Sequence, residues 1–167
     1  MKILKDDHPT LKQISQAVLP DEFSGLSEVI EKMTALMDAE HGIGLSAVQV
    51  GILKRFFIMR DPNTNEVHVC INPTIIELHS KPTKINEGCL SYPGLMLKVP
   101  RHDKIVVEYT LLNGRTNVDI LEGLMSQCYQ HELDHLNGIT FNTRVSSLHL
   151  QLQSKKRAKY IKNNDIS

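Results

Sequence analysis

Between Ser24 and Glu40 the apolar residues Leu26, Val29, Ile30, Met33, Leu36 and Met37 recur at spacings of three and four, the period of a helix with one face in a core. The pattern predicts a helix over 24–40, with Ser24 or Ser27 capping its start and Gly42 ending it. Ahead of it, residues 11–18 predict a short helical turn before Pro20. The period then shortens. Residues 55–59 and 67–71 are rich in β-formers and enclose Asp61-Pro62-Asn63-Thr64-Asn65, a run of turn chemistry, so they predict a hairpin. Asn72-Pro73 is expected to break the second strand, with 74–78 extended again. Residues 105–111 and 116–121 predict a second hairpin around Asn113-Gly114.

The helical period returns after that hairpin. The apolar run 120–125 is expected to anchor a helix in the core, and Asn137-Gly138 to end it, because glycine takes the left-handed cap conformation freely. A final helix from 146 or 147 to about 162 has a thin apolar face of Leu148, Leu150, Leu152, Tyr160 and Ile161. Helix, strands, helix, helix is the order of an α+β fold. The expectation is antiparallel β-sheets packed around a central helix, flanked by an N-terminal and a C-terminal helix.

Composition narrows the class. The 167 residues suffice for one domain with a real core, so 1–167 is read as a single unit with 146–162 as its C-terminal helix. A hydrophobic share of 41% with 23% charged residues is that of a globular chain. Formal net charge is zero, so no global field draws the protein to DNA or to a membrane. No apolar run approaches the ~20 residues of a membrane-spanning helix. The N-terminus, MKILKDDHPT, carries no apolar segment followed by a cleavage site, which points to a cytoplasmic location. Cys70, Cys89 and Cys128 make an odd count, suited to reduced thiols, one of which is free to be a ligand.

The candidate chemistry centres on His131, Glu132 and His135, an H-E-x-x-H sequence within the predicted central helix. Positions i and i+4 share a helix face, so two imidazoles can grip one metal ion. Glu132 beside them can take a proton from a metal-activated water without being a ligand. A catalytic site of this kind usually has a third protein ligand. No Glu follows Glu132, and the extended H-E-x-x-H-x-x-G-x-x-H signature fails because Phe141 stands at its last position. His149, Cys128 and Cys89 remain. His149 falls on a helix expected to face solvent. Cys128, one turn before His131 on the same helix, would strain to share the ion and reads as an apolar wall. Cys89, in Glu87-Gly88-Cys89-Leu90-Ser91, is the favoured third ligand. Gly42 and Gly44, flanking Ile43, mark backbone that must turn or come close to something. That segment lacks the third glycine of a dinucleotide fingerprint and the Lys-Ser/Thr of a phosphate loop.

At these residues the chain resembles the peptide deformylases. Gly42-Ile43-Gly44-Leu45-Ser46-Ala47-Val48-Gln49 is similar to that family's first motif, which usually has Ala-Ala where this chain has Ser46-Ala47. Glu87-Gly88-Cys89-Leu90-Ser91 matches the second motif and His131-Glu132-Leu133-Asp134-His135 the third, in the right order and over about residues 1–150. The resemblance implies removal of the formyl group from the initiator methionine of nascent polypeptides, with release of formate. It implies that Cys89, His131 and His135 bind one divalent ion, ferrous iron first, with zinc, nickel or cobalt as substitutes. It maps the Gln49 side chain and the Leu90 N–H onto oxyanion donors, and Ile43 and Ile85 onto walls of the methionine pocket.

Gly44 joins Glu132, Gln49 and Leu90 in the expected catalytic set, its backbone pairing with the substrate main chain as a strand would. Helical spacing places Leu124, Gln127, Cys128 and His131 on one face as a further pocket wall, where Gln127 departs from the apolar residue usual in the family. Arg101 is a candidate contact for substrate carbonyls. Glu87, counted with the substrate-binding residues, and Asp134 are also candidates to hold a ligand imidazole or to anchor an Arg. Lys155, Lys156, Arg157, Lys159 and Lys162 form a basic tail that could contact ribosomal RNA phosphates. Two other readings compete: a metallopeptidase with a Cys ligand, releasing peptides, and a closed structural metal site with Cys128 as its fourth ligand.

Overall fold

The computed structural model describes residues 1–6 and 8–164, without the side chains of 163 and 164. Its frame is a five-stranded antiparallel sheet in the order β1-β2-β3-β6-β7, with β4 and β5 forming a separate hairpin. The strands are β1 (Gly44–Ser46), β2 (Phe56–Arg60), β3 (Val67–His79), β4 (Thr83–Glu87), β5 (Leu97–Arg101), β6 (Lys104–Thr110) and β7 (Thr116–Glu122). Among the described residues there are three α-helices: α1 (Leu26–Ala39), α2 (Gly123–Leu136) and α3 (Ser147–Asn164). The expected α+β class, with antiparallel sheets around a central helix, is the class observed.

The sheet separates α1 from α2, and β2 displays the reason. Its side chains alternate between faces, as the pleat requires. Phe56 and Ile58 enter the cluster built with Ile30, Met33 and Met37 of α1. Phe57 and Met59 enter the cluster built with Tyr129, Leu133 and Leu136 of α2. All four β2 side chains are buried. Burial of one such side chain stabilises the fold by about 1.5–3 kcal/mol, so this short strand ties both helices to the sheet.

Several local readings need correction. Residues 11–18 are not one helical turn: a tight turn covers Pro9–Lys12, and the chain then runs extended, with Ser15 N–H donating to Leu136 O and Gln16 N–H to Leu53 O. Neither Ser24 nor Ser27 caps α1; Gly25 stands at its N-cap without a side-chain bond. The left-handed residue ending α1 is His41, with φ 55°, not Gly42. His41 N–H returns to Asp38 O and Gly42 N–H to Met37 O, the double closure of a Schellman motif. Asn72-Pro73 does not break β3. The strand continues through a bulge, with Asn72 at φ 49° and both ends of its side-chain amide bonded to the Val18 backbone at 2.9 Å. The apolar run 120–125 does not anchor α2: residues up to Glu122 belong to β7, and Ile120 is 63% exposed. The second end signal holds as read, with Gly138 at φ 70° closing α2.

Candidate metal centre

α2 lies under the cleft and is buried from Ser126 to Leu136 on nearly all sides. Its polar residues therefore meet protein instead of water. His131 and His135 project from one face, one helical turn apart. Cys89 reaches them from the turn after β4, where Tyr92 N–H donates to Cys89 O and closes a tight loop. The ligand atoms of Cys89, His131 and His135 all lie within 4.8 Å of one another, with Cys89 Sγ 3.3 Å from His135 Nε2. Ligands bound about 2.0–2.3 Å from a tetrahedral ion stand roughly 3–4 Å apart. The three donors fit such an ion, and among the described residues no fourth side chain joins the group.

The electrostatics point the same way. Burial holds His135 well below the usual imidazole range, which keeps it neutral and able to ligate. Burial acts against a charge on His131 as well, but the Cys89 sulfur and Glu87 outweigh it and draw positive charge there. A proton on His131 and a divalent ion are alternative answers to that field. Cys128 behaves differently: burial pushes its thiol well up, and its Sγ lies 3.5 Å from Ile43 O. It does not belong to the cluster of ligand atoms formed by Cys89, His131 and His135, so the geometry gives the closed structural site no fourth ligand among the described residues. His149 is half-buried on α3, and its Nε2 accepts from Lys98 N–H on β5 at 3.1 Å, away from the ligand cluster.

Glu132 sits 3% exposed between the ligands and β1. Burial raises its carboxyl above the usual range, against the lowering pull of His131 and a hydrogen bond from Ser46. Gly44 explains why a glycine is needed opposite it. A Cβ there would fall 2.5 Å from Glu132 Oε1 and 2.6 Å from Cys128 Sγ. Gln49, in the turn Ala47–Val50, is held at both ends. Its Oε1 accepts from Ser46 N–H at 2.9 Å, and its Nε2 donates to Ser91 Oγ at 3.1 Å and faces Cys89 Sγ at 3.6 Å.

These groups face a cleft of about 420 Å³. Of the residues expected at the site, Ile43, Gly44, Gln49, Glu87, Cys89 and Leu90 line it from the β side. Gln127, Cys128, His131 and Glu132 line it from α2. His135 lies behind its floor, 1% exposed. Ile85, Leu124 and Arg101 do not line it. Ile85 is half-buried within the β4–β5 hairpin opposite Val99. Leu124 belongs to the first turn of α2 and is 43% exposed, so the helix face runs on past the cleft.

Arg101 is the clearest correction. Along β5 the side chains of Leu97, Val99 and Arg101 point inward, and Arg101 is 3% exposed. Its Nε and Nη2 donate to the two oxygens of Glu87 at 3.0 and 3.2 Å, and its Nη1 donates to Asp134 Oδ2 at 2.6 Å. Arg144 holds the same Asp134 carboxylate from the other side. Arg101 is thus held by two buried carboxylates and does not line the cleft. Glu87 lines the cleft, but its oxygens turn toward Arg101, and Oε1 stands 3.5 Å from His131 Nδ1. Burial would raise the Glu87 carboxyl, yet His131 and Arg101 hold it below the usual range. The expected anchoring of an Arg by Glu87 and Asp134 is what the geometry contains.

Sequence reasoning assigned no role to Lys5, Ser46, Ser91 or Gly94. Lys5, on the N-terminal arm, donates to Leu90 O at 2.9 Å and lines the cleft mouth. Pro93 and Gly94 complete the opposite rim. Nothing in local patterning marks Lys5; Ser46 and Ser91 were at least visible as members of the two motifs.

Two imidazoles from one helix, a sulfur ligand from a separate loop and a buried carboxylate turned to an open cleft define a single-metal hydrolase. Within that class the relatives decide. The profile described as polypeptide deformylase matches residues 1–151, and the chain belongs to the peptide deformylase family. A peptide deformylase of Pelagibacter ubique is 37% identical, covering 98% of this chain and 96% of its own. The fold is similar to a peptide deformylase of Synechococcus elongatus solved with actinonin, at TM-score 0.87 and 34% identity over 94% of this chain and 85% of that one. It is also similar to a class I type b deformylase of Acinetobacter baumannii with Met-Ala-Ser bound, at TM-score 0.81 and 32% identity over 87% of this chain and 98% of that one. No helix among the described residues is long and apolar enough to cross a membrane.

Proposed function

We propose that this chain hydrolyses the N-formyl group from the initiator methionine of nascent polypeptides and releases formate. The observation that carries the reading is Glu132: a buried carboxylate beside the ligand set, its Oε1 beside Gly44 on the cleft. Cys89, His131 and His135 hold the ion, which when bound makes a water acidic enough to deprotonate near neutral pH and polarises the carbonyl under attack. Ferrous iron is the ion we assign, with zinc, nickel and cobalt as substitutes; a mixed sulfur and imidazole set suits iron or zinc. Glu132 takes the proton from the attacking water and passes it to the leaving amine. The Gln49 amide and the Leu90 N–H donate to the oxyanion, where loss of one donor costs about 3 kcal/mol of barrier. The backbone at Gly44 pairs with the peptide main chain, and Ile43, Gln127 and Cys128 flank the methionine side chain. The Met-Ala-Ser bound to the Acinetobacter relative supports a substrate of that kind.

The measurement is formate release from formyl-Met-Ala-Ser by protein purified anaerobically, set beside Glu132→Ala at equal metal content. The variant is expected to lose about 10³-fold in kcat, within the 10²–10⁴-fold range of general acid–base catalysis. Peptide release without formate would favour the metallopeptidase reading. Iron as the resident ion predicts that metal analysis of the anaerobic preparation returns iron in near-stoichiometric amount.

In this reading the chain works as one catalytic unit in the cytoplasm, and the basic end of α3 reaches the ribosome. Arg157 is committed elsewhere, since its guanidinium holds Pro93 O and Asp6. Lys155, Lys156, Lys159 and Lys162 are exposed and carry the contact. Charge reversal at these four lysines is expected to abolish salt-sensitive co-sedimentation with ribosomes while formate release persists; unchanged co-sedimentation removes the tail from the account.

A further inference from the structure

Ser46 ends β1, is fully buried, and touches both groups assigned to the chemistry. Its Oγ lies 2.5 Å from Glu132 Oε2 and 3.0 Å from Glu132 O. A hydroxyl has one proton to donate, and the carboxylate is both nearer and the stronger acceptor, so the proton goes to Oε2. That bond settles the rotation of the carboxylate. With Oε2 tied to Ser46, Oε1 is left beside Gly44, a residue that lines the cleft together with Glu132. Among the described side chains Ser46 is the hydrogen-bond donor recorded for this carboxylate.

The backbone of the same residue settles the second group. Ser46 N–H occupies Gln49 Oε1, which decides which end of the amide faces the ligands. Nε2 is left toward Ser91 Oγ and Cys89 Sγ, on the side where an oxyanion needs a donor. One residue of β1, locked to β2 opposite Phe57, thus orients the base and the oxyanion donor together.

We propose that Ser46 is a positioning residue for the reaction: its hydroxyl holds the Glu132 carboxylate in the orientation that presents Oε1 to the cleft, while its N–H presents Gln49 Nε2. The inference rests on the deformylase reading. The role is particular to this chain, since the family motif usually has Ala here; the test removes the hydroxyl with Ser46→Ala, a side chain that β1 accommodates, and asks whether this chain depends on a bond that most relatives lack. Formate release, metal content and a crystal structure are obtained for both proteins in the metal-loaded form.

Native protein that yields no formate overturns the deformylase reading and the proposal with it. Given native activity, Ser46→Ala is expected to lower kcat about tenfold, as expected of a small misplacement of a reacting group, with KM within twofold and metal content unchanged. Its crystal structure is expected to show the Glu132 carboxylate rotated or in more than one orientation, against a single orientation in the native protein. An unchanged kcat with the carboxylate still in place overturns the Ser46 proposal alone. So does a loss expressed only in metal content or only in KM, either of which would make Ser46 a support of the ligand set or of the pocket.

Discussion

α1 and α2 are the same length, 14 residues each, and pack on opposite faces of one sheet. α1 buries Leu26, Ile30, Met33 and Met37 and leaves its other face to water. α2 buries Gln130, His131, Glu132, Asp134 and His135 together with Tyr129, Leu133 and Leu136. The first helix is held by non-directional burial, which tolerates small shifts. The second also buries directional bonds, such as that between Asp134 and Arg101, whose loss would leave a buried charge without a partner. The sheet face toward α1 therefore sets stability, and the face toward α2 also sets chemistry.

The largest effect expected is at the ligand set. Cys89→Ala should leave less than a tenth of the native metal content and no measurable formate release, with the melting temperature of the metal-free form little changed. Retained stoichiometric metal would return the third ligand to open question. Next comes a matched pair across the sheet. Met33→Ala opens a cavity under α1 and should cost about 2–5 kcal/mol in urea unfolding, with kcat unchanged well below the melting temperature. Arg101→Ala leaves Glu87 and Asp134 buried without their shared cation and should cost about 3–5 kcal/mol. It should also lower kcat, because Glu87 stands 3.5 Å from His131 Nδ1. Equal loss of activity in both variants would erase the distinction between the faces.

The smallest effect concerns Gln127. Its Nε2 donates to Asn86 O at 3.0 Å, so the amide is turned to β4 and the stem of the side chain is what lines the cleft. Gln127→Leu is expected to change kcat/KM for formyl-Met over formyl-Ala peptides by only about two- to fivefold, on the scale of ~1 kcal/mol for a partial change of pocket wall. A larger change would mean that the amide itself reads the substrate.

The same contrast explains what was legible. α1 and both hairpins of the large sheet follow from periodicity and turn residues, because their burial is one-sided. Gly138 ends α2 as read, since its left-handed φ and the approach of Lys12 O within 2.6 Å of a Cβ both call for glycine. At the end of α1 the same geometry falls on His41, where neighbouring Gly42 drew the expectation; at Gly42 a Cβ would instead press on the Leu90 side chain, 2.7 Å from Cδ1. Asn72 survives within β3 because Val18, distant in sequence, satisfies its amide. Arg101 read as a candidate substrate contact because the carboxylates that enclose it come from β4 and α2.

By itself the sequence determined the helical spacing of His131 and His135, the carboxylate between them, the need for a third ligand and the sheet hairpins, all of which depend on neighbours a few positions away. Only the tertiary structure decided that β4 delivers Cys89 beside α2, that Arg101 and Glu87 face inward, and that Ser46 holds Glu132. Those contacts join segments 14 to 86 residues apart. Hydrogen bonds and ligand bonds depend on distance and angle in space, and no local pattern encodes which distant donor will arrive at a buried carboxylate.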